Sequence, residues 1–186
     1  DPAEVPLLTS RADDLAELYE LADGMGLEFA TAAVHNTYYF HKFDNVIREK
    51  ERVATRLEDI ARRLLRTSRP KSWFRAWFNA GLANYVRGGE RLLPCDMGTD
   101  IFFVDPLGRV MPCNGMEAPM GSLKEQTFDE IWASTEAKAV RDRACACDAN
   151  CWMIGSVAPA MKKHIRVPAT WVLEAKLSGK LPPIEG

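Results

Sequence analysis

The chain has 186 residues, of which 47% are apolar and 27% charged, and its net charge at pH 7 is −2. This length is sufficient for a sizeable hydrophobic core, and the near-neutral charge argues against a protein that binds polyanions over its whole surface. No apolar run approaches the roughly 18 residues that a membrane-spanning helix needs, so we expect no membrane partner and a cytoplasmic location. Because the sequence begins with Asp1-Pro2 and not with Met, we also expect it to be part of a longer polypeptide.

A helix followed by a strand is predicted first. Residues 11–23 should be helical, with Ser10 in a motif close to a capping box and Gly24 or Gly26 at the end. Residues 27–35 are small or β-prone and predict a buried strand. A helix that leads into an apolar strand favours a parallel sheet. The predicted apolar face of the helix consists of Leu15, Leu18, Tyr19 and Ala22.

Polar side chains follow this predicted strand. Because ligands of α/β proteins bind at the carboxyl ends of strands, this loop could face a cofactor or a substrate. An ordinary hydrogen-bonded loop is the preferred interpretation, and we assign no catalytic residue here. The polar residues concerned are His35, Asn36, Thr37, Tyr38, Tyr39 and His41.

Two long helices are predicted next, over residues 46–66 and 71–87. The range from Arg48 to Arg75 holds ten Lys or Arg and four Asp or Glu. Basic residues interleaved with aromatic ones suggest nucleic-acid binding, but most of these charges fall on the helix face opposite the apolar stripe. We therefore interpret them as a solvated helix surface and expect no nucleic-acid partner.

A β-hairpin is predicted from two short apolar runs, residues 101–104 and 109–112. The intervening Asp105-Pro106-Leu107-Gly108 has the residues that a type I turn prefers at its first, second and fourth positions. Pairing Val104 with Arg109 would place Cys113 opposite Asp100, and Cys95 would need only a short bend to reach it. The hairpin therefore brings two thiols to one end, which is half of a metal site.

The other half of the site follows a further helix. The remaining predicted helices are residues 127–143, with Thr127 as N-cap, and, beyond Trp152, residues 155–164 and 170–177, which Pro168 separates. The first of these helices leads to three cysteines, Cys145, Cys147 and Cys151. Since a single residue separates Cys145 from Cys147, their side chains point apart in an extended segment, and we do not expect both to bind.

Four thiolates from these two half-sites could hold either a structural zinc ion or an iron–sulfur cluster. Buried free thiols are the plain alternative, but five cysteines confined to two short loops would make poor use of a core-filling residue. A disulfide framework needs an exported protein, and it fits poorly with an odd number of cysteines and no signal peptide.

This pattern resembles the auxiliary-cluster domain of radical SAM enzymes, which is called SPASM in its long form and twitch in its short form. The resemblance is carried by Cys95-x12-Gly108-x4-Cys113, the hairpin VDPLGRVMPC, the motifs GSL and FDEIW, and Cys147-x3-Cys151-Trp152. The chain has too few cysteines for two clusters, so the resemblance implies a twitch-like domain with one auxiliary [4Fe–4S] cluster. By position, the implied ligands are Cys95, Cys113, Cys147 and Cys151, with Cys145 as an alternate for Cys147.

The resemblance also implies a fold class between α/β and α+β, with four parts in chain order. Residues 1–45 would hold the last helix and strand of the partial (β/α) radical SAM barrel, and residues 46–90 would be linker helices. Residues 91–155 would form the twitch/SPASM-like domain of hairpin and helix around the cluster, and residues 156–186 a C-terminal helical tail.

The sequence contains no CxxxCxxC loop, which in radical SAM enzymes binds the cluster that cleaves S-adenosylmethionine. The resemblance therefore implies an oxidoreductase-type radical SAM enzyme of which this is the C-terminal part. Its partner, the N-terminal barrel half of the same polypeptide, would carry S-adenosylmethionine and a second [4Fe–4S] cluster. The auxiliary cluster would transfer electrons or position an unidentified substrate, a small molecule or a peptide. The alternative is a non-enzymatic module with a four-cysteine zinc site, because zinc and cubane sites share tetrahedral sulfur ligation.

Overall fold

The computed structural model describes residues 13–38 and 41–184. In this part of the chain the protein forms seven helices and one antiparallel sheet of order β1-β2-β3, an α+β fold. None of the described helices is both long enough and apolar enough to cross a bilayer. The elements are α1 (Asp14–Gly24), α2 (Lys50–Arg66), α3 (Pro70–Arg87), β1 (Phe103–Val104), β2 (Arg109–Met111), β3 (Gly121–Ser122), α4 (Phe128–Ala133), α5 (Thr135–Cys145), α6 (Ile154–Lys163) and α7 (Arg166–Ser178).

The described residues fall into two compact units that alternate along the chain. Unit 1 contains the described parts of Asp1–Val34, Val46–Leu93 and Cys151–Gly186, and unit 2 contains those of His35–Asn45 and Pro94–Asn150. The sequence predicts four parts that follow one another along the chain. Each of the two observed units instead contains segments that are separated in the sequence. The loop after the predicted strand joins the hairpin, and the C-terminal helices join the linker helices.

Unit 1 is built around two long helices. α2 and α3 pack along each other, and both contact α7. Helical spacing places Ile60 and Leu64 on the buried face of α2. On α3, Gly81 has no side chain, and the indole ring of Trp152 lies against its backbone. The indole N–H donates a hydrogen bond to the carbonyl oxygen of Phe78 at 2.9 Å, so this ring is fixed in the core.

The predictions for α2 and α3 are confirmed apart from one boundary. α3 ends at Gly88, whose φ of 89° provides the left-handed cap that glycine favours. α2 begins at Lys50, four residues later than the predicted start at residue 46. The reason is Glu49, which has a left-handed backbone with φ 48° and therefore cannot lie inside a right-handed helix.

Helix α1 is confirmed from Asp14 onward, and the predicted capping residue Ser10 lies outside the described residues. Tyr19 is buried, and its ring meets the ring of Phe29 edge to face at 5.9 Å. Leu18 is 51% exposed, so its assignment to the buried face is wrong. The physical reason is that α1 packs mainly against α2, which covers only one side of it.

The predicted strand over residues 27–35 is wrong, because these residues form no strand in the structure. The segment is held by side chains: the hydroxyl of Thr31 donates to Asn79 Oδ1 at 2.7 Å, and the hydroxyl of Tyr85 donates to the carbonyl of Val34 at 3.3 Å. Within the described part of the chain, no backbone N–H of residues 28–36 donates a hydrogen bond. A strand exists only through pairing, and no neighbouring strand is described here, so the α+β alternative of the predicted fold class is the one observed.

The basic residues of α2 and α3 form ion pairs on the surface of unit 1. Arg63 contacts Glu20 at 2.6 Å, and Lys71 contacts Glu28 at 2.6 Å, with all four side chains substantially exposed. Exposed pairs of this kind contribute about 0–1 kcal/mol each to stability. They agree with the interpretation of these charges as a solvated helix surface.

The helices after the sheet differ from the prediction in two places. The predicted helix 127–143 is two helices, because Ser134 has an extended backbone and its hydroxyl accepts the N–H of Ala137 at 3.0 Å, which caps α5. Pro168 does not separate two helices but lies in the first turn of α7. Its missing N–H costs no intrahelical hydrogen bond at that position.

Candidate metal centre

A tight hairpin is the frame of unit 2. The N–H of Asp105 donates to the carbonyl of Arg109 at 3.0 Å, and the N–H of Gly108 donates to the carbonyl of Asp105 at 2.9 Å. Gly108 has a φ of 81°. The connection is therefore a type I turn followed by a left-handed residue, the usual three-residue hairpin loop. The predicted hairpin and turn are confirmed.

The predicted pairing of Val104 with Arg109 is wrong by one residue. Val104 pairs with Val110, and Phe103 pairs with Met111. The left-handed Gly108 makes the hairpin loop one residue longer than the predicted pairing of Val104 with Arg109 allowed. Continuing this register would place Cys113 opposite position 101 and not opposite position 100.

Asp105 holds the turn with both of its carboxylate oxygens. Oδ1 accepts the N–H groups of Leu107 and Arg109, each at 2.9 Å, and Oδ2 accepts Nε of Arg109 at 2.6 Å. Burial acts to raise the pKa of Asp105, but these hydrogen bonds and the charge of Arg109 outweigh burial. The pKa of Asp105 therefore lies below its ordinary value.

The Asp105→Asn variant should be less stable than the parent protein at neutral pH, and the difference should shrink in acid. Because the folded-state pKa of Asp105 is below its unfolded value of about 3.9, the carboxylate contributes stability that is fully present above that value and is lost as the pH falls through the folded-state pKa. Circular dichroism melts of both proteins between about pH 7 and pH 3 would measure this. A difference in Tm that stays constant over this range would contradict the assignment, since all other acid-sensitive groups are shared.

Two sequence motifs of unit 2 prove to be packing and capping elements. A Cβ atom on Gly121 would lie 2.8 Å from the side chain of Ile131, so β3 can approach α4 this closely only with glycine. Ile131 is fully buried beside Val110. The hydroxyl of Thr127 accepts the N–H of Glu130 at 3.3 Å and the carboxylate of Glu130 accepts the N–H of Thr127 at 2.8 Å, which confirms the predicted N-cap as a full capping box.

A short turn returns Cys95 to the hairpin. The carbonyl of Asp96 accepts the N–H groups of the residues four and five positions later, at 3.0 and 3.2 Å. Gly98 has a φ of 81°, and a Cβ atom on it would lie 3.1 Å from Ala144 and 3.2 Å from Pro112. The turn therefore packs against both the end of the hairpin and the end of α5. These are the places where Cys113 and Cys145 lie.

The thiol of Cys113 is partly buried and receives backbone hydrogen bonds. Burial raises its pKa, and the N–H groups of Gly115 and Met116 act in the opposite direction. The charges of Cys147 and Cys95 add to the rise. The three thiols are thus within electrostatic range of one another. N–H groups directed at a cysteine sulfur stabilise the thiolate, which is the form that binds metal.

Cys145 and Cys147 are both exposed but differ in their neighbours. Cys145 is the last residue of α5. Cys147 follows the helix, and its N–H donates to the carbonyl of Ala144 at 3.3 Å. Of these two cysteines, only Cys147 is among the groups whose charge acts on the pKa of Cys113. The choice of Cys147 over Cys145 as a ligand stays a prediction. The effect of Cys147, and not of Cys145, on Cys113 supports this choice.

Cys151 belongs to unit 1, where its neighbours hold it. The guanidinium group of Arg91 donates to the carbonyl of Cys151 and lies over the ring of Trp152 at 5.8 Å. The ring of Trp152 is 3% exposed. Burial raises the pKa of Tyr85, and the charge of Cys151 adds to that rise, so the tyrosine lies near this thiol. The fourth predicted ligand is therefore fixed by the core of unit 1.

The donor chemistry of these residues fits an iron–sulfur cluster. Three thiols of unit 2 lie within electrostatic range of one another, and one of them, Cys113, already receives two N–H donors. Among residues 13–38 and 41–184, no three His, Cys, Asp or Glu side chains are close enough together to hold a single metal ion. The set of four ligands stays a prediction.

The polar loop after residue 35 lies in the same unit as the hairpin, which the sequence did not predict. Thr37 and Lys42 pair through two backbone hydrogen bonds of 2.9 and 3.2 Å. The carboxylate of Asp105 and, after it, the hydroxyl of Tyr38 raise the pKa of Arg109, so Tyr38 lies near this guanidinium group, and the ring of Tyr38 meets that of His41 edge to face at 5.6 Å. No local pattern links this loop to Arg109, so only the fold could reveal the contact.

Comparison with known proteins identifies one region. Residues 95–152 match the family model of an iron–sulfur cluster-binding domain, SPASM. The match begins at Cys95 and ends at Trp152, so it spans every cysteine of the chain. No match to the chain was found among curated proteins or solved structures.

Proposed function

Because residues 95–152 form a SPASM iron–sulfur cluster-binding domain, we propose that this chain holds one auxiliary [4Fe–4S] cluster and is the C-terminal part of a radical SAM enzyme. The observation that supports this most directly is the grouping of Cys95, Cys113 and Cys147 in unit 2, with N–H donors aimed at Cys113. A structural zinc site would use the same ligands but is not what the matching family binds.

The proposed ligands are Cys95, Cys113, Cys147 and Cys151. Four protein thiolates would saturate a cubane cluster, which favours electron transfer over direct binding of a substrate to iron. When bound, the cluster would supply a one-electron redox centre. The N–H groups of Gly115 and Met116 would hold the sulfur of Cys113 in its thiolate form and compensate part of its burial.

The part of the enzyme that cleaves S-adenosylmethionine is proposed to lie in residues outside this sequence, because the chain has no CxxxCxxC loop. Residues 28–36 support this. Their backbone N–H groups donate no hydrogen bond within the described part of the chain, so a neighbouring barrel strand could pair with them. The substrate, a small molecule or a peptide, would be bound and activated by that larger assembly.

Protein purified without oxygen should be brown and should contain about four iron and four sulfide ions per chain. The same preparation, treated with S-adenosylmethionine and a strong reductant, should release no 5′-deoxyadenosine, because its single cluster has all four irons bound to cysteine. Metal analysis, labile-sulfide analysis and chromatography of the products measure these outcomes.

Each readout can contradict a different part of the proposal. Stoichiometric zinc without labile sulfide would exclude the cluster and favour the zinc module. Robust formation of 5′-deoxyadenosine by the 186-residue chain would exclude the assignment of S-adenosylmethionine cleavage to residues outside it.

A further inference from the structure

One face of the hairpin forms the wall of a small cavity. Alternation along the strands places Phe103 on the same face as Met111 and Cys113, while Val110 points to the opposite side and is buried against α4. The first face meets the loop that contains Tyr38, and between them lies a cavity of about 160 Å³. Every residue that lines it belongs to unit 2: Tyr38, His41, Phe103, Asp105, Pro106, Leu107, Arg109, Met111, Cys113 and Asn114.

The size and lining of this cavity suit a compact apolar group. The lining is mostly apolar and includes the side chains of Phe103, Pro106, Leu107 and Met111. A cavity of about 150 Å³ is sufficient for one benzene ring. Met111 is 2% exposed, so the floor of the cavity is part of the packed hairpin, and Leu107 is 57% exposed at its rim.

Among the described residues that line the cavity, the one polar side chain that can only donate hydrogen bonds is Arg109. Both carboxylate oxygens of Asp105 already accept hydrogen bonds within the hairpin. A guanidinium group has five N–H donors, and Arg109 uses Nε on Asp105. The side chains of His41 and Asn114 can each donate or accept a hydrogen bond. An oxygen acceptor on a ligand that fills this cavity can therefore pair with the guanidinium of Arg109, and His41 and Asn114 can donate to the same oxygen.

We propose that this cavity binds a single aromatic ring that carries a carboxylate or carbonyl oxygen, and that it holds this ring beside Cys113. The ring could be that of a free aromatic acid or of an aromatic residue in a peptide, since both offer the same ring and acceptor. That the bound ring lies beside a redox centre rests on the proposed function. That the cavity binds the ring does not. In an enzyme with an auxiliary cluster, this cavity would be a substrate-recognition site.

The test uses anaerobically purified protein with methyl-labelled methionine and three probes of equal size: benzoate, benzamide and benzylamine. Benzoate and benzamide should shift the Met111 methyl signal in a saturable way, with Kd on the order of millimolar for ligands this small. The signal of Met120, buried on the other side of the sheet, should not move. Benzylamine, which offers a cation in place of an acceptor, should bind at least tenfold more weakly. A preference for benzoate over benzamide would indicate a free acid, and equal affinity would indicate a peptide.

Two matched variants of the same hairpin provide the control. Leu107→Trp places an indole at the rim of the cavity and should weaken benzoate binding at least tenfold. Val104→Trp adds the same ring at a 39% exposed position that does not line the cavity, and should bind benzoate as the parent does. The proposal is overturned if benzoate does not shift Met111, if both variants bind it equally, or if benzylamine binds as well. Iron and sulfide content is measured separately. If the protein holds no cluster, the benzoate experiment therefore still tests whether the cavity binds an aromatic ring.

Discussion

Replacing Cys113 with Ala should remove nearly all iron and sulfide from protein purified without oxygen. Its sulfur is partly buried and receives two backbone N–H donors, so no exposed side chain can replace it. Cys95→Ala, Cys147→Ala and Cys151→Ala should have the same effect, because each would leave the cluster with three protein ligands and an exposed iron. Iron and labile-sulfide analysis per chain measures the loss, and far-UV circular dichroism checks that the helices remain.

Cys145→Ala is the matched control for this series. It removes an exposed thiol two residues from Cys147, at the end of α5, and should retain about the full iron content. If instead Cys145 proves essential and Cys147 dispensable, the choice of third ligand is wrong while the cluster itself stands. If all five variants keep their iron, the ligand set as a whole is refuted.

Replacing Gly81 with Ala should lower the free energy of unfolding by about 1–3 kcal/mol. A Cβ atom at this position would overlap the indole ring of Trp152, whose Nε1 would be 2.7 Å away. The ring cannot yield easily, because it packs against Trp77 and Phe78 at centroid distances of 5.3 and 6.3 Å. Urea unfolding followed by tryptophan fluorescence measures the loss. Since Trp152 directly follows Cys151, the variant should also retain less iron.

Gly155→Ala is the control for this substitution. Gly155 also lies within a helix, but a Cβ atom there would meet nothing within 4 Å. Ala is the better helix former by about 1 kcal/mol, so this variant should be equally stable or more stable than the parent. If both glycine variants lose the same stability, the loss is not specific to position 81 and the contact with Trp152 does not explain it.

The sequence alone determined the local features, because each depends on neighbouring residues. Asp105 and Gly108 identified the hairpin turn, Thr127 identified the start of α4, and Gly88 identified the end of α3. The spacing of Cys95, Gly108 and Cys113 was also sufficient to indicate the cluster-binding domain that the family comparison confirms. Such features are encoded by backbone preference and short-range hydrogen bonds, and they change little with the rest of the fold.

Only the tertiary structure decided the features that depend on distant partners. Residues 27–35 have the composition of a strand, but a strand needs a paired neighbour and none is described, so the segment forms no strand in the described structure. The register of the hairpin depended on one left-handed residue, Gly108, whose conformation shifts every later residue by one position. The contact between Tyr38 and Arg109, and with it the cavity beside Cys113, arises because the chain leaves unit 2 after Asn45 and returns to it at Pro94. No pattern local to either segment could predict that return, since it is packing over the whole chain that brings them together.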